Sequence, residues 1–448
     1  MKLSERLGRE GLAAADVGGH SEDQADPLSE LKRRAEKALF AAMGAELSGP
    51  LDPSSLHEDV VTRLEEIVAD EERLLSSDER QEIVRSVTDN LLGLGPIQPL
   101  LEDPTVTEIM VNGPDEVYVE RRGQIEPAGV SFEDQAHIRM IVERIVAKVG
   151  RRIDAAAPMV DARLPDGSRV NAVLPPVTIG SPTLTIRKFS QVDMTMNQLI
   201  AHGTLTDEVA DFLRACVEAK CNILISGGTG TGKTTLLNAL SSFIPSHERI
   251  ITVEDTAELQ LQQRHVVRME ARPANVEGVG KVDIRDMVRN ALRMRPDRVV
   301  VGECRGPEAL DMLQAMNTGH EGSLTTLHAN SSRAALSRLE TMVLTAGVDL
   351  PHRAIRDQVV DAIDLVVQLN RLADGSRRVI EVAEVIGMED GAIKVRDIFL
   401  FDWAAGVDAE GHFTGKLLAT GIDPALAPRL HYRGHTLPPS MFDPGPRD

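Results

Sequence analysis

Gly227-Gly228-Thr229-Gly230-Thr231-Gly232-Lys233-Thr234 follows the apolar run Cys221-Asn222-Ile223-Leu224-Ile225-Ser226 and precedes Leu236, Leu237, Ala239 and Leu240. The octet fits G-x-x-x-x-G-K-[ST] in the context that pattern requires: a buried strand, a glycine turn, then a helix. Glycines at 228, 230 and 232, with Thr229 and Thr231 between them, let successive backbone N–H groups point at phosphate oxygens, and the helix N-terminus adds the positive end of its dipole. Lys233 reaches the β and γ phosphates, the Thr234 hydroxyl can ligate Mg²⁺, and Thr235 stands beside it. The stretch therefore specifies a nucleoside triphosphate site, with ATP and Mg²⁺ as the expected cofactors. It does not by itself choose between a motor, a kinase and a switch.

Working outward, the chain alternates strands and helices from Leu199 to about Asn370, which predicts a largely parallel, helix-covered sheet. Strand candidates are Asn222 to Ser226, Arg249 to Glu254, Arg298 to Glu303, Ser323 to Ala329 and Leu365 to Leu369. Ligands in such sheets bind at the carboxyl ends of the strands. Three further segments fall at those ends. Ile250-Ile251-Thr252-Val253-Glu254-Asp255-Thr256-Ala257-Glu258 is an apolar strand with three carboxylates at its exit, suited to hold Mg²⁺ through water or to orient an attacking water. Arg298 to Arg305 is an apolar strand ending in Gly302-Glu303; glycine stands where many phosphate-loop proteins have aspartate, so Glu303 must do the work. Thr318 to Asn330 is a strand bracketed by His320 and His328, and a neutral histidine near a γ-phosphate can donate a hydrogen bond. His320 also fits a partner for the C-terminal dipole of the helix begun by Pro307. The helix Asp283 to Met294 has Asp283 and Asp286 at capping positions and a basic stripe of Arg285, Arg289 and Arg293, which reads as a solvated face or as one that meets a neighbouring subunit.

Upstream lies a different composition. Residues 1–55 are an acidic arm, expected to be largely disordered with one helix from Ser29 to Met43; residues 56–95 read as two amphipathic helices forming a docking module. From 96 to 198 short strands, a helix ending at Gly150 and further strands predict a small α+β domain. Its last stretch is basic in an acidic chain. Arg163, Arg169, Arg187 and Lys188 beside strands suggest a phosphate-facing surface, or else arginines that guard sheet edges. Residues 199–402 form the phosphate-loop domain, and 403–448, with Pro438-Pro439 and Pro444-Gly445-Pro446, read as a loose tail.

Composition narrows the function classes. The 448 residues carry a formal net charge of −20 and only 3% aromatic residues, which disfavours a nucleic-acid motor because such a motor needs a basic, stacking-rich groove. A scaffold that binds nucleotide without hydrolysing it is disfavoured by the intact carboxylates. The three cysteines lie in or beside apolar runs without metal-ligand spacing, as buried residues of a reduced compartment do. No apolar run of spanning length and no signal-peptide start is present, so a cytoplasmic protein is expected.

The order of phosphate loop, Thr252 to Glu258, Gly302 to Arg305 and Thr318 to His328 resembles the type II/type IV secretion ATPase superfamily. Met312 to His320 and Ser323 to Asn330 are similar to its CpaF branch, which powers tight-adherence (Flp) pili. The resemblance covers about residues 80–400. It implies a RecA-like α/β motor domain preceded by a smaller α+β domain and an N-terminal helical segment. It also implies a hexameric homo-oligomer driving an inner-membrane platform protein, peripheral to that membrane; direct nucleic-acid partners are not expected, on the acidic composition given above. By residue, it implies Glu258 polarising the attacking water, Glu303 and Asp255 near Mg²⁺, and His328 sensing the γ-phosphate. Arg163, Arg169 or Arg187 would act on nucleotide, which would sit between the two domains. Thr256 replaces a commoner proline and Cys304 a commoner aliphatic residue; neither removes a catalytic group.

Overall fold

A computed structural model describes residues 28–43, 53–71, 75–121, 123–189, 194–272, 274 and 279–444. The arm before residue 28 lies outside them. The chain divides into two units between Lys188 and Phe189, ahead of the boundary at 198 read from the sequence, and the first unit includes the N-terminal helices.

The first unit opens with α1 (Ser29–Met43), α2 (Pro53–Ala69) and α3 (Ser77–Leu91). Their apolar stripes, among them Leu39, Leu64 and Ile83, close into one small core. α3 starts at a capping box, where Ser76 accepts from the Glu79 amide and Glu79 returns a carboxylate to the Ser76 amide, satisfying two otherwise orphaned donors. Then come α4 (Gln98–Glu102), β1 (Val106–Val111), β2 (Val117–Arg121), β3 (Gln124–Pro127), α5 (Gln135–Lys148), β4 (Met159–Arg163), β5 (Arg169–Val173) and β6 (Thr183–Arg187). The six strands make an antiparallel sheet in the order β3-β2-β1-β6-β5-β4. Alternate residues such as Val170, Ala172, Leu184 and Ile186 bury one sheet face against α5, as the two-residue period of a half-covered sheet requires.

The second unit comprises α6 (Met196–Ala201), α7 (Asp207–Glu218), β7 (Ile223–Gly227), α8 (Lys233–Ser241), β8 (Ile250–Glu254), β9 (Val266–Glu270), α9 (Ile284–Ala291) and β10 (Arg298–Val301). It continues through α10 (Glu308–Asn317), β11 (Leu324–Leu327), α11 (Ser332–Leu344), α12 (His352–Ala362), β12 (Leu365–Arg371), β13 (Arg377–Glu389), β14 (Ala392–Phe401), β15 (Leu417–Ala419) and α13 (Ala427–Tyr432). Its nine-stranded sheet runs β15-β14-β13-β12-β7-β11-β10-β8-β9. The stretch from β12 to β9 is parallel, and β13 to β15 add an antiparallel edge. Every residue of β7, β8, β10 and β11 is buried, because helices cover both faces. This is the α/β fold expected, with β9 and the β13–β14 hairpin as strands the sequence reading left out.

Two expectations are corrected. The segment 403–448 is not a loose tail over its described part: Leu417, Leu430 and Phe442 are buried in the core with Phe212 and Phe399. Backbone amides of Ala425 and Leu426 bind Glu384, and Arg429 pairs with Asp364 at 2.7 Å. Isolated apolar anchors among prolines and glycines carry no periodicity, which is why the segment resembles a linker. Nor is the Arg285-Arg289-Arg293 stripe simply solvated. Arg285 and Arg289 each donate at 2.7 Å to the two oxygens of the buried Asp311, tying α9 to α10.

Candidate nucleotide site

The site lies at the carboxyl ends of β7, β8, β10 and β11 in the second unit. One strand, β11, separates the phosphate-loop strand from the strand of Glu303, so the two loops flank the exit of β11, where His328 emerges. Gly232 caps α8 with φ of 94°, a left-handed conformation that side chains resist. Thr234 and Thr235 occupy the first turn of α8, half-buried, and Thr231 Oγ1 donates to Gly228 O at 3.0 Å.

Lys233 is 8% exposed. Its Nζ donates to Gly227 O at 3.1 Å and Gly228 O at 2.8 Å, and lies 3.3 Å from His328 Nδ1. An ammonium can only donate, so Nδ1 accepts and the ring proton belongs on Nε2. Nε2 in turn stands 2.9 Å from Glu303 Oε1. That oxygen is buried and has no hydrogen bond of acceptable geometry, whereas Glu303 Oε2 accepts from Arg305 at 2.6 Å. Burial pushes the Glu303 carboxyl up, but the Arg305 hydrogen bond and the charges of Arg305, His328 and Lys233 prevail and hold it below the usual range. Burial first, and Lys233 next, push His328 below the ordinary imidazole value. The resulting set is a lysine, a neutral histidine and a carboxylate in a row.

Arg305 is the residue the sequence reading missed here. It reaches Asp255 at 3.5 Å as well as Glu303, and the hydrogen bond to Glu303, with the charges of Glu303, Asp255 and Glu258, keeps it firmly protonated. The carboxylates from two strand exits thus converge on one guanidinium. Glu254, read from the sequence as one of three exit carboxylates, instead turns inward: Oε2 accepts from the amides of Glu258 and Leu259 at 2.7 and 2.8 Å. Arg377, at the start of β13, donates to Gly230 O at 2.9 Å, a contact across 147 positions that no local pattern announces. His320 is not part of the site; it precedes β11 on the amino-end side of the sheet, with Nδ1 3.3 Å from Ala315 O.

The upstream arginines are gathered in the first unit. Arg163 pairs with Arg169 and Arg169 with Arg187 across β4, β5 and β6, so all three stand in one row on the face away from the core. Arg163 donates to Gly167 O at 3.0 Å. Lys188, by contrast, is turned back onto the carbonyls of Leu100 and Asp103.

The residues fit a magnesium nucleotide. The glycine turn, with Gly230 and Gly232 at positive φ, and the N-terminus of α8 suit an anion, Lys233 rests on neutral carbonyls it can exchange for phosphate oxygens, and the Glu303 oxygen beside His328 Nε2 suits a cation. Thr234 and Glu303 would hold Mg²⁺, with Asp255 at the exposed rim beside Arg305. The family model described as "Type II/IV secretion system protein" matches residues 90–400. The chain belongs to the type II/IV secretion system protein family. Among its relatives, a Mycobacterium tuberculosis H37Rv protein named for conjugal transfer is 37% identical over 332 residues, 73% of this chain and 94% of that one. The type IV secretion system protein VirB11 of Brucella suis is 35% identical over 313 residues, 64% and 87% of the two chains. A solved structure of the pilus retraction motor PilT with bound ADP is similar over 75% of this chain and 84% of that one, at 18% identity and a TM-score of 0.47.

Proposed function

We propose that this chain is a Mg²⁺-dependent ATPase that works as a homo-oligomeric ring, most simply a hexamer, and drives a Flp-type pilus or related secretion machine through an inner-membrane platform protein. The observation that carries the reading is the convergence of Lys233, His328 and Glu303 beside the phosphate loop, with Arg305 joining Glu303 to the Asp255–Glu258 turn. Lys233 exchanges the Gly227 and Gly228 carbonyls for phosphate oxygens, a change from neutral to charge-assisted hydrogen bonds. Glu258 orients and deprotonates the attacking water. His328, neutral and protonated on Nε2, donates toward the γ-phosphate and loses that partner after hydrolysis. Bound Mg²⁺ supplies neutralisation of charge on the transferring phosphoryl group. The arginine row of Arg163, Arg169 and Arg187 is assigned to phosphate as well, since three arginines in register on one sheet face are an unusual basic cluster in an acidic chain.

The names of relatives, conjugal transfer and type IV secretion, support a machine that moves macromolecules; the Flp assignment rests on the similarity of residues 312–330 to that branch. Among the described residues no helix is long and apolar enough to cross a membrane; the platform protein at the inner membrane is assigned on the resemblance to that branch. The acidic composition argues that the partner is protein rather than nucleic acid. The test is ATP turnover per subunit across a wide range of protein concentrations, with Lys233→Ala as the blank. Turnover per subunit rising steeply with concentration, together with a ring-sized mass, is the expected result. Full turnover by a species of monomeric mass would overturn the ring.

A further inference from the structure

Glu254 is the last residue of β8 and only 2% exposed. One oxygen, Oε2, takes both the Glu258 and the Leu259 amides, at 2.7 and 2.8 Å, closing the turn that begins at Asp255. The other, Oε1, is buried without a hydrogen-bond partner. A buried carboxylate with one oxygen unsatisfied is costly to fold and adds little as packing. Its position is explained by what it holds.

On the neighbouring strand, Gly302 follows Val301, the register partner of Val253, and the Gly302 amide donates to Val253 O at 2.9 Å. A Cβ built at 302 would stand 2.9 Å from Glu254 Cγ and 3.6 Å from its Cβ. Gly302 is not among the glycines with positive φ, so the backbone there would admit other residues. Space, not conformation, requires the glycine. The absence of the acidic side chain common at this position in phosphate-loop proteins thus has a physical counterpart one strand away: the side chain of Glu254 fills the volume. Glu254 holds the backbone amide of Glu258 and fills the space beside Gly302, the residue before Glu303.

We infer that Glu254 is a positioning residue for the Glu258 carboxylate, and that residue 302 is glycine so that Glu254 can occupy that place. The inference rests on the reading of Glu258 as the base, and deepens it. Glu254 binds no substrate; it fixes the turn from which Glu258 leaves and spaces that turn from Glu303. Misplacing a reacting group by about 1 Å costs on the order of 10²-fold in rate, so small changes at 254 or 302 should act on turnover more than on binding.

The experiment compares Glu254→Ala, Glu254→Gln, Gly302→Ala, the double variant Glu254→Ala/Gly302→Ala and Glu258→Gln. Readouts are kcat, KM for MgATP, affinity for a fluorescent ATP analogue, and Tm. Glu254→Ala is expected to lose about 10²-fold in kcat with KM and affinity little changed. Glu254→Gln, which keeps an acceptor for the two amides, should restore most of that loss. Gly302→Ala should lower kcat by itself yet add nothing in the Glu254→Ala background, because the colliding side chain is gone. Rescue by glutamine and non-additivity are outcomes that general destabilisation does not produce, and they decide the matter even if Glu254→Ala folds poorly. Equal defects in Glu254→Gln and Glu254→Ala, or strictly additive effects of 254 and 302, would overturn the inference. If Glu258→Gln retains full turnover, it falls together with the assigned base; if Glu258→Gln is inactive while Glu254→Ala is normal, it falls alone.

Discussion

Lys233 and His328 face each other beside the phosphate loop, with Nζ 3.3 Å from Nδ1. Burial first, and the lysine charge after it, keep the imidazole neutral, which leaves the Nε2 proton available for donation at neutral pH. A direct consequence concerns titration. Followed by NMR in the nucleotide-free protein, His328 should titrate below the ordinary histidine value, and in Lys233→Ala its midpoint should move up, because a repelling charge is gone. An unchanged or lower midpoint in the variant would mean that the pair does not interact in solution.

Arg305 sets the protonation of Glu303. Burial alone would raise that carboxyl; the guanidinium hydrogen bond and charge bring it below the usual range. In Arg305→Ala the Glu303 midpoint therefore rises, and since the ionised form is the useful one, the acid limb of the kcat profile should shift to higher pH. The measurement is kcat from pH 5 to 8. Activity at pH 8 should suffer less than activity at pH 6.

The C-terminal segment is structural. Phe442 packs edge-on against Phe212 at 5.9 Å between ring centres and is buried with Leu430 in the main core. Phe442→Ala should destabilise the second unit by about 3 kcal/mol, the cost typical of a buried aromatic replaced by a methyl group. Denaturant unfolding would read this as a lower midpoint, and a midpoint equal to wild type would place the segment off the core.

Asp89, on α3, carries a pKa raised to about 6, chiefly by burial, against the lowering effect of Arg85. A carboxyl whose folded value exceeds its unfolded value penalises the folded state once it must ionise, above about pH 6, and the penalty fades as pH falls through that value. Asp89→Asn should therefore raise Tm at pH 8 by about 2 °C, a figure reduced for the partial exposure of the group. The gain should shrink below pH 6. A gain that is constant with pH would point to the shape of the amide, not to charge.

How much of this was legible varies with the physics of each element. β7, β8, β10 and β11 are short apolar runs, readable because burial on both faces demands such composition. β13 and β14 have a local signature too: Asp390-Gly391, both with positive φ, join Glu389 to its partner Ala392 in a two-residue turn that such a pair favours. The cluster of Lys233, Glu303 and His328 follows from strand ends in a parallel sheet. The inward turn of Glu254 does not, since Glu254, Asp255 and Glu258 are chemically alike in sequence, and only the empty Cβ position at Gly302 separates them. Arg377 reaches Gly230 through a hairpin far downstream, a contact set by sheet order, which local patterns do not encode.

The central claim is that these carboxylates hydrolyse nucleotide held by Lys233. Single-turnover hydrolysis of MgATP by Glu258→Gln, alongside wild type and Lys233→Ala, tests it most directly. The account predicts that wild type converts bound ATP to ADP, that Lys233→Ala binds little, and that Glu258→Gln binds ATP normally but holds it unhydrolysed, slowed by about 10²-fold or more. Hydrolysis by Glu258→Gln at the wild-type rate would contradict it.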